Sequence, residues 1–456
     1  MVPIWWKCWE RGPARHAIWL LSLFLILGAM RVVPARAQES ASGVETAAPP
    51  STPAESRPYH LPPAKLVQAK ALGKSRPLLH FGSEFWQVAV LLLLLATGTA
   101  ARLAQSIAAK TARRWLQSVI FSAILVALLF LAVDLPADAI GHSFSLHYRI
   151  SVESWPAWLL DQAKTLGLTL LIESPLLMLV HLLMHWTRSR RRYWLWFAAL
   201  TVPLMLLGTF LLPALVEPIF FDFEPLAQSH PALANQLQRV VARTGAGIPP
   251  ERMFLMRASE KSNGLNAYVS GLGSSKRIVV WDTTADRMPL DEILFTFAHE
   301  TGHYALHHIA KGLALAAVGT FALFWAVAKF AEALVSRFGK SWRVASLASL
   351  PGLAVLLLAF SLAQIVTEPF ENVISRHFEH EADVYGQEAI HGLVPDPQAT
   401  AVAAFNRLGE AYLDDPDPNP FLEFWTGSHP STQSRAIFAA QYDPWATGQK
   451  PEFFPK

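Results

Sequence analysis

The chain has 456 residues, of which 52% are hydrophobic and only 16% charged, with a formal net charge of +3. That is too apolar for an ordinary soluble protein and too weakly charged to suggest nucleic acid, so several membrane spans and a lipid bilayer around them are expected. Cys8 is the single cysteine, which excludes an intrachain disulfide.

Residues 1–37 place a basic stretch before a short apolar run and then Ala35-Arg36-Ala37. That order predicts a secretory signal peptide, with an uncleaved first membrane span as the competing reading. Residues 38–83, rich in Pro, Ala and Ser, read as a linker. Four apolar stretches near 84–101, 116–133, 164–186 and 193–216 predict four transmembrane helices over 84–216. Each is close to the ~20 residues that cross a hydrocarbon core, where backbone groups must pair within a helix. From 217 to 311 the chain turns polar and mixed, as expected of a soluble segment. Apolar stretches at 313–335 and 345–367 predict two more spans over 312–367, and 368–456 is again soluble in character.

The loops "RLAQSIAAKTARRW", "HWTRSRRRYW" and "SRFGKSWR" are basic, whereas "VDLPADAIGHSFSLHYRISVESW" is mixed and more acidic. Positive loops stay inside. The alternation therefore puts 217–311 and the C-terminal segment on the outer side of the membrane.

Within the first of those segments lies His299-Glu300-Thr301-Gly302-His303. Histidines at i and i+4 share one helix face and can hold one Zn²⁺, while the adjacent glutamate can take a proton from a water on the metal. A third protein ligand is needed. The position ten after His299 is Ile309, so the extended three-histidine pattern fails. A downstream carboxylate remains: "NVISRHFEHEADVYG" supplies Glu379, with Asp383 one helical turn on and suited to accept a ligand imidazole's N–H. Glu381 is the rival ligand. His307 and His308 read as helix-end residues near the membrane boundary, His308 lying off the 299/303 face. Ahead of the motif, "LNAYVSGL" and "RIVVWDT" flank the turn-like "GSSK" and predict a hairpin. An exposed strand edge there would hold a peptide extended, with Asn266 bonding its backbone.

Together, "AHETGHY", "NVISRHFEHEAD" after two apolar spans, "PALVEPIFFDFEPL", "SNGLNAYVSGLGSSKRIVVWDT" and "SHPSTQSR" resemble the type I CAAX prenyl proteases, in that family's order. The resemblance implies a polytopic α-helical membrane protein carrying a zincin-like metallopeptidase domain with a small β-hairpin or sheet. It implies a zinc metalloendopeptidase with one Zn²⁺ on His299, His303 and Glu379, and Glu300 as general base. Asp383 is implied as the partner behind a ligand, and His429 and Arg435 as stabilisers of the oxyanion. Asn266, Ala267 and Tyr268 match the family's Asn-Ala-Tyr at the substrate strand, and Asn372 and Arg376 match positions that brace the site. The expected setting is a bacterial inner membrane with the catalytic segments facing the periplasm, and the expected substrate a peptide or protein. A transporter, a receptor or a non-proteolytic scaffold with a structural metal site is the alternative.

Overall fold

A computed structural model describes residues 58–187, 192–211, 215–271 and 276–454. The expected signal peptide at 1–37 lies outside them.

Helix α1 (Pro63–Ala96) begins inside the stretch read as a linker, which corrects that expectation from Pro63 onward. Proline at the first helical position loses nothing, because its missing N–H would be unpaired there anyway. The following "AKLVQAKAL" is built of strong helix formers, and alanine, counted toward a linker by composition, is the best of them. Helix α2 (Thr99–Lys110) and helix α3 (Arg114–Leu129) follow, and a π turn at Phe130–Asp134 joins α3 to α4 (Leu135–His147). Then come α5 (Trp155–Trp186) and α6 (Tyr193–Leu211).

Among the described residues, five helical stretches are long and apolar enough to cross a membrane, including His308–Trp342 (α9 below) and Gly352–Ala389 (α10). Five of the six expected spans fall on these; the sixth, 193–216, is a shorter apolar helix over Tyr193–Thr209. Leu93, Leu171, Val318 and Val366 lie on their outer faces at 61–71% exposure, a surface that water would reject and lipid accepts. Their inner faces bury Leu91, Phe121, Val180, Leu323 and Leu353 in one apolar cluster. The chain is a multi-pass α-helical membrane protein.

A second cluster lies in the polar segments, where α7 (Pro231–Thr244) packs on a four-stranded sheet and α8 (Leu290–Ala305). The strands are β1 (Phe223–Pro225), β2 (Met253–Met256), β3 (Ala267–Ser270) and β4 (Arg277–Trp281), in the order β1-β2-β4-β3. The expected hairpin is the antiparallel pair β3/β4, with Tyr268 opposite Val279, and β3 is an edge strand.

Helices α9 (His308–Trp342) and α10 (Gly352–Ala389) run out from this domain and back. The expected boundary at 367/368 is not a break: α10 continues through it as one helix with Pro369 inside. The apolar run ends there, but a helix needs only a new partner for its next face. Proline inside a membrane helix is tolerated where neighbours re-satisfy the freed carbonyl. One stiff rod thus carries the chain from the bilayer to Glu379. Helices α11 (Pro397–Tyr412), α12 (Pro420–Thr426) and α13 (Thr432–Gln441) close over it.

Candidate active site and metal centre

Helix α8 opens with Asp291 and Glu292 in its first turn, where acidic groups suit the positive helix end. Glu292 also receives two hydrogen bonds from Arg407 of α11, at 2.6 and 3.1 Å. The helix is buried from Glu292 to Gly302. Two glycines let it lie close against α10. A Cβ on Gly302 would stand 3.0 Å from the Tyr385 ring, and one on Gly386 would stand 3.0 Å from the His299 backbone nitrogen. Larger residues would hold the helices apart.

That close approach brings the predicted ligands together. His299 Nε2 and His303 Nε2 are 3.2 Å apart; Glu379 Oε2 is 3.4 Å from the first and Oε1 is 3.6 Å from the second. These three form a group able to hold a metal ion. His299 and Glu379 side chains are 1% and 2% exposed and His303 17%, so the group is buried and opens to solvent on its His303 side. Burial holds the His303 imidazole well below its ordinary range and thus neutral, the form that binds a cation. Burial also raises the Glu300 carboxyl, against the pull of His299. Glu381, the rival ligand, faces elsewhere and meets His308.

Asp383 stands where expected: its Oδ1 is 2.9 Å from His299 Nδ1, on the side away from the metal group. Arg435 donates to both Asp383 oxygens, at 2.8 and 2.5 Å, and its Nη2 is 3.6 Å from Glu379. His429 Nε2 is 3.3 Å from Glu379 Oε1. The loop bearing His429 is clamped from behind, as Asn372 donates to the Trp425 carbonyl at 2.5 Å and Arg376 to that of Gly427. Ser431, whose hydroxyl accepts from the Ser434 amide, starts the helix that carries Arg435.

The predicted substrate strand divides. Tyr268 turns into the core and donates to Glu217 at 2.8 Å, so its hydroxyl is already engaged. Ala267 is fully buried. Asn266 is fully buried as well, yet neither its amide nitrogen nor its amide oxygen has a hydrogen-bond partner among the described groups. Its backbone is fixed by Thr284, which accepts from the Asn266 amide at 2.6 Å and donates to its carbonyl at 2.8 Å. Tyr304 of α8 donates to the Gly271 carbonyl, which holds the end of β3 beside the motif helix. A cavity of about 890 Å³ reaches the site on its His429 and Arg435 side, with Asp161 and Glu371 in its walls.

One residue was missed. His308 is 4% exposed and lies 3.0 Å, Nδ1 to Nδ1, from His303. It does stand at a helix end, as the first residue of α9, but its placement off the motif face assumed that α8 runs on. Instead α8 stops at Ala305, and His307 takes a left-handed conformation (φ 57°) that turns the chain and aims His308 back.

Known proteins match both halves of the chain. Residues 227–442 match Peptidase family M48, and residues 46–222 match the CAAX prenyl protease N-terminal family, described as five membrane helices. The chain is 32% identical over 375 residues to the uncharacterized metalloprotease YhfN of Bacillus subtilis, covering 82% of this chain and 85% of that one. It is 30% identical over 212 residues to CAAX prenyl protease 1 of Saccharomyces cerevisiae, 46% of this chain and 45% of that one. The crystal structure of S. mikatae Ste24p has the same fold, with a TM-score of 0.68 over 84% of this chain and 91% of that one at 20% identity. Such a match across the membrane and soluble parts disfavours the transporter, receptor and scaffold readings: the chain belongs to peptidase family M48 and is a membrane-embedded metalloendopeptidase.

Proposed function

We propose that this chain holds one Zn²⁺ on His299, His303 and Glu379, and cleaves exported or membrane proteins at the outer face of a bacterial inner membrane. The spacing of the three ligands is the observation that carries this. Zinc bonds of ~2.0–2.1 Å in a tetrahedron put neighbouring ligand atoms about 3.3–3.4 Å apart. The two Nε2 atoms are 3.2 Å apart, close to that edge, and the Glu379 carboxylate lies against both, with Oε2 3.4 Å from His299 and Oε1 3.6 Å from His303. Bound there, zinc would supply Lewis acidity and a water acidified toward neutral pH.

The chain's own groups do the rest. Glu300, buried beside the ligands, takes the proton of the attacking water on its carboxylate and passes it to the leaving amine. A carboxyl raised by burial releases that proton less readily to solvent, so it stays available for the amine. His429 donates from Nε2 toward the carbonyl oxygen as negative charge grows on it. Arg435 adds positive charge from behind, while its two bonds to Asp383 keep the His299 ring in place. Among the described residues β3 is an edge strand, and that edge accepts a peptide as an added strand. The cavity of about 890 Å³ can house a folded-back length of chain. CAAX prenyl protease is the name of several relatives. For this chain, damaged or misfolded exported and membrane proteins suit an outward-facing site better than a prenylated C-terminus.

Metal analysis of the purified protein in detergent should give one zinc per chain. Glu300→Gln should keep that zinc and lose about 10²–10⁴-fold in cleavage of a quenched peptide. Glu379→Ala should lose the zinc. Full activity in Glu300→Gln, or a native protein that takes up no zinc, would sink this reading.

A further inference from the structure

The two ligand histidines are supported by different devices. Behind His299 stands a carboxylate, Asp383, itself held by Arg435. Behind His303 stands another imidazole. His308 Nδ1 is 3.0 Å from His303 Nδ1, and His308 Nε2 is 2.8 Å from Glu381 Oε2. The His308 ring is stacked on Phe378, with centroids 4.4 Å apart and planes 11° from parallel. Glu381 reaches the surface, where His377 lies 3.6 Å from its other oxygen.

Only one arrangement of protons satisfies this chain. His303 must offer the lone pair of Nε2 to the metal, so its proton sits on Nδ1. That N–H donates to His308 Nδ1, which therefore accepts. The proton of His308 is then on Nε2, where it donates to the Glu381 carboxylate. Each group fixes the tautomer of the one before it, and the negative end raises the donor strength of the ligand nitrogen.

We propose that His308 and Glu381 are positioning residues for zinc: they lock His303 in the Nδ1–H tautomer and set its ring for ligation. Glu381, a rival ligand by sequence, thus acts two groups away from the metal. The left-handed His307 is the structural means, since a continuous helix would carry His308 away from His303. This inference rests on the zinc reading above.

The test is a competition titration of zinc against a chelator of known affinity, with the full-length protein in detergent. His308→Phe keeps a flat ring to stack on Phe378 but cannot accept from His303. It should bind zinc 10–100-fold more weakly, as loss of a ligand's supporting partner typically does (about that range). His308→Gln, whose amide oxygen accepts and whose nitrogen donates, should stay within about threefold of native. The visible spectrum of the Co²⁺-substituted protein should change in His308→Phe and revert toward native in His308→Gln. A merely structural role predicts equal loss in both variants and a lowered unfolding temperature of the metal-free protein. Native-like zinc affinity and an unchanged cobalt spectrum in His308→Phe would overturn the inference while leaving the zinc site standing. A native protein without zinc affinity would overturn both.

Discussion

Arg435 and Asp383 form a pair with almost no access to water, at 8% and 2% exposure. Removing one member of such a pair strands the other's charge, at a cost of about 3–5 kcal/mol. Arg435→Met should therefore lose about 3–5 kcal/mol of stability in chemical unfolding. Adding Asp383→Asn should recover part of that loss, because the stranded charge goes with it. A single variant of native stability would mean that Asp383 is compensated elsewhere. The resemblance implied an oxyanion role for Arg435; the geometry adds that its guanidinium is held first by Asp383. Residue spacing made His299, Glu300 and His303 legible, and the i, i+4 relation made Glu379 and Asp383 legible. It failed at His308 for a definite reason. Spacing arithmetic presumes that the helix continues, and nothing in "HYALHH" marks His307 as the left-handed turn that breaks it.

Two elements, α8 and α10, build the metal group, and their separation is set by Gly302 and Gly386. Gly386→Ala puts a methyl group 3.0–3.1 Å from the His299 backbone, which cannot swing aside. Overpacking of this kind costs about 1–3 kcal/mol. The variant should also bind zinc more weakly, because Glu379 moves with α10. Gly82→Ala in α1 is the contrast: an added Cβ there meets nothing within 4 Å. It should be neutral or stabilising by up to about 1 kcal/mol, as alanine is the better helix former. Equal zinc affinity in both variants would show that the close approach does not set the ligand geometry. Neither this contact nor the passage of α10 through Pro369 was legible, since both depend on what packs alongside.

The end of the membrane part is tied to the sheet by Glu217, which accepts from Tyr268 and Arg277. Burial nonetheless pushes its carboxyl up to about 7. A carboxyl raised by folding contributes stability that is full below its ordinary value, ~4.3, and is lost as pH rises through about 7. Glu217→Gln cannot ionise, so the Tm difference, variant minus native, should move in the variant's favour between about pH 5 and about pH 8. A difference that stays constant across that window would place the titration elsewhere.

At the scale of the whole molecule, the elements that carry the basic segments before α3 and between α9 and α10 meet at one end. Gly98, just before α2, lies against the Arg343 side chain of the α9–α10 turn. His181, near the end of α5 that leads into "RSRRRY", is 3.1 Å from the Ala348 carbonyl of that same turn. At the opposite end, Val152 donates to the Lys261 carbonyl at 3.0 Å, which joins the α4–α5 loop to the sheet domain. The start of α2, the α9–α10 turn and the end of α5 thus share one face of the membrane part, and the metal group with its strands shares the other. Since positive loops are retained in the cytoplasm, the catalytic side should face outward. Cysteine labelling can test this once Cys8, the single native cysteine, is replaced by serine. Glu251→Cys and Gly448→Cys should react with a membrane-impermeant maleimide added to intact spheroplasts, whereas Ser341→Cys should react only after permeabilisation. The reverse pattern would put the hydrolytic site in the cytoplasm. It would leave the zinc chemistry intact but redirect the search for substrates from exported proteins to cytoplasmic and membrane ones.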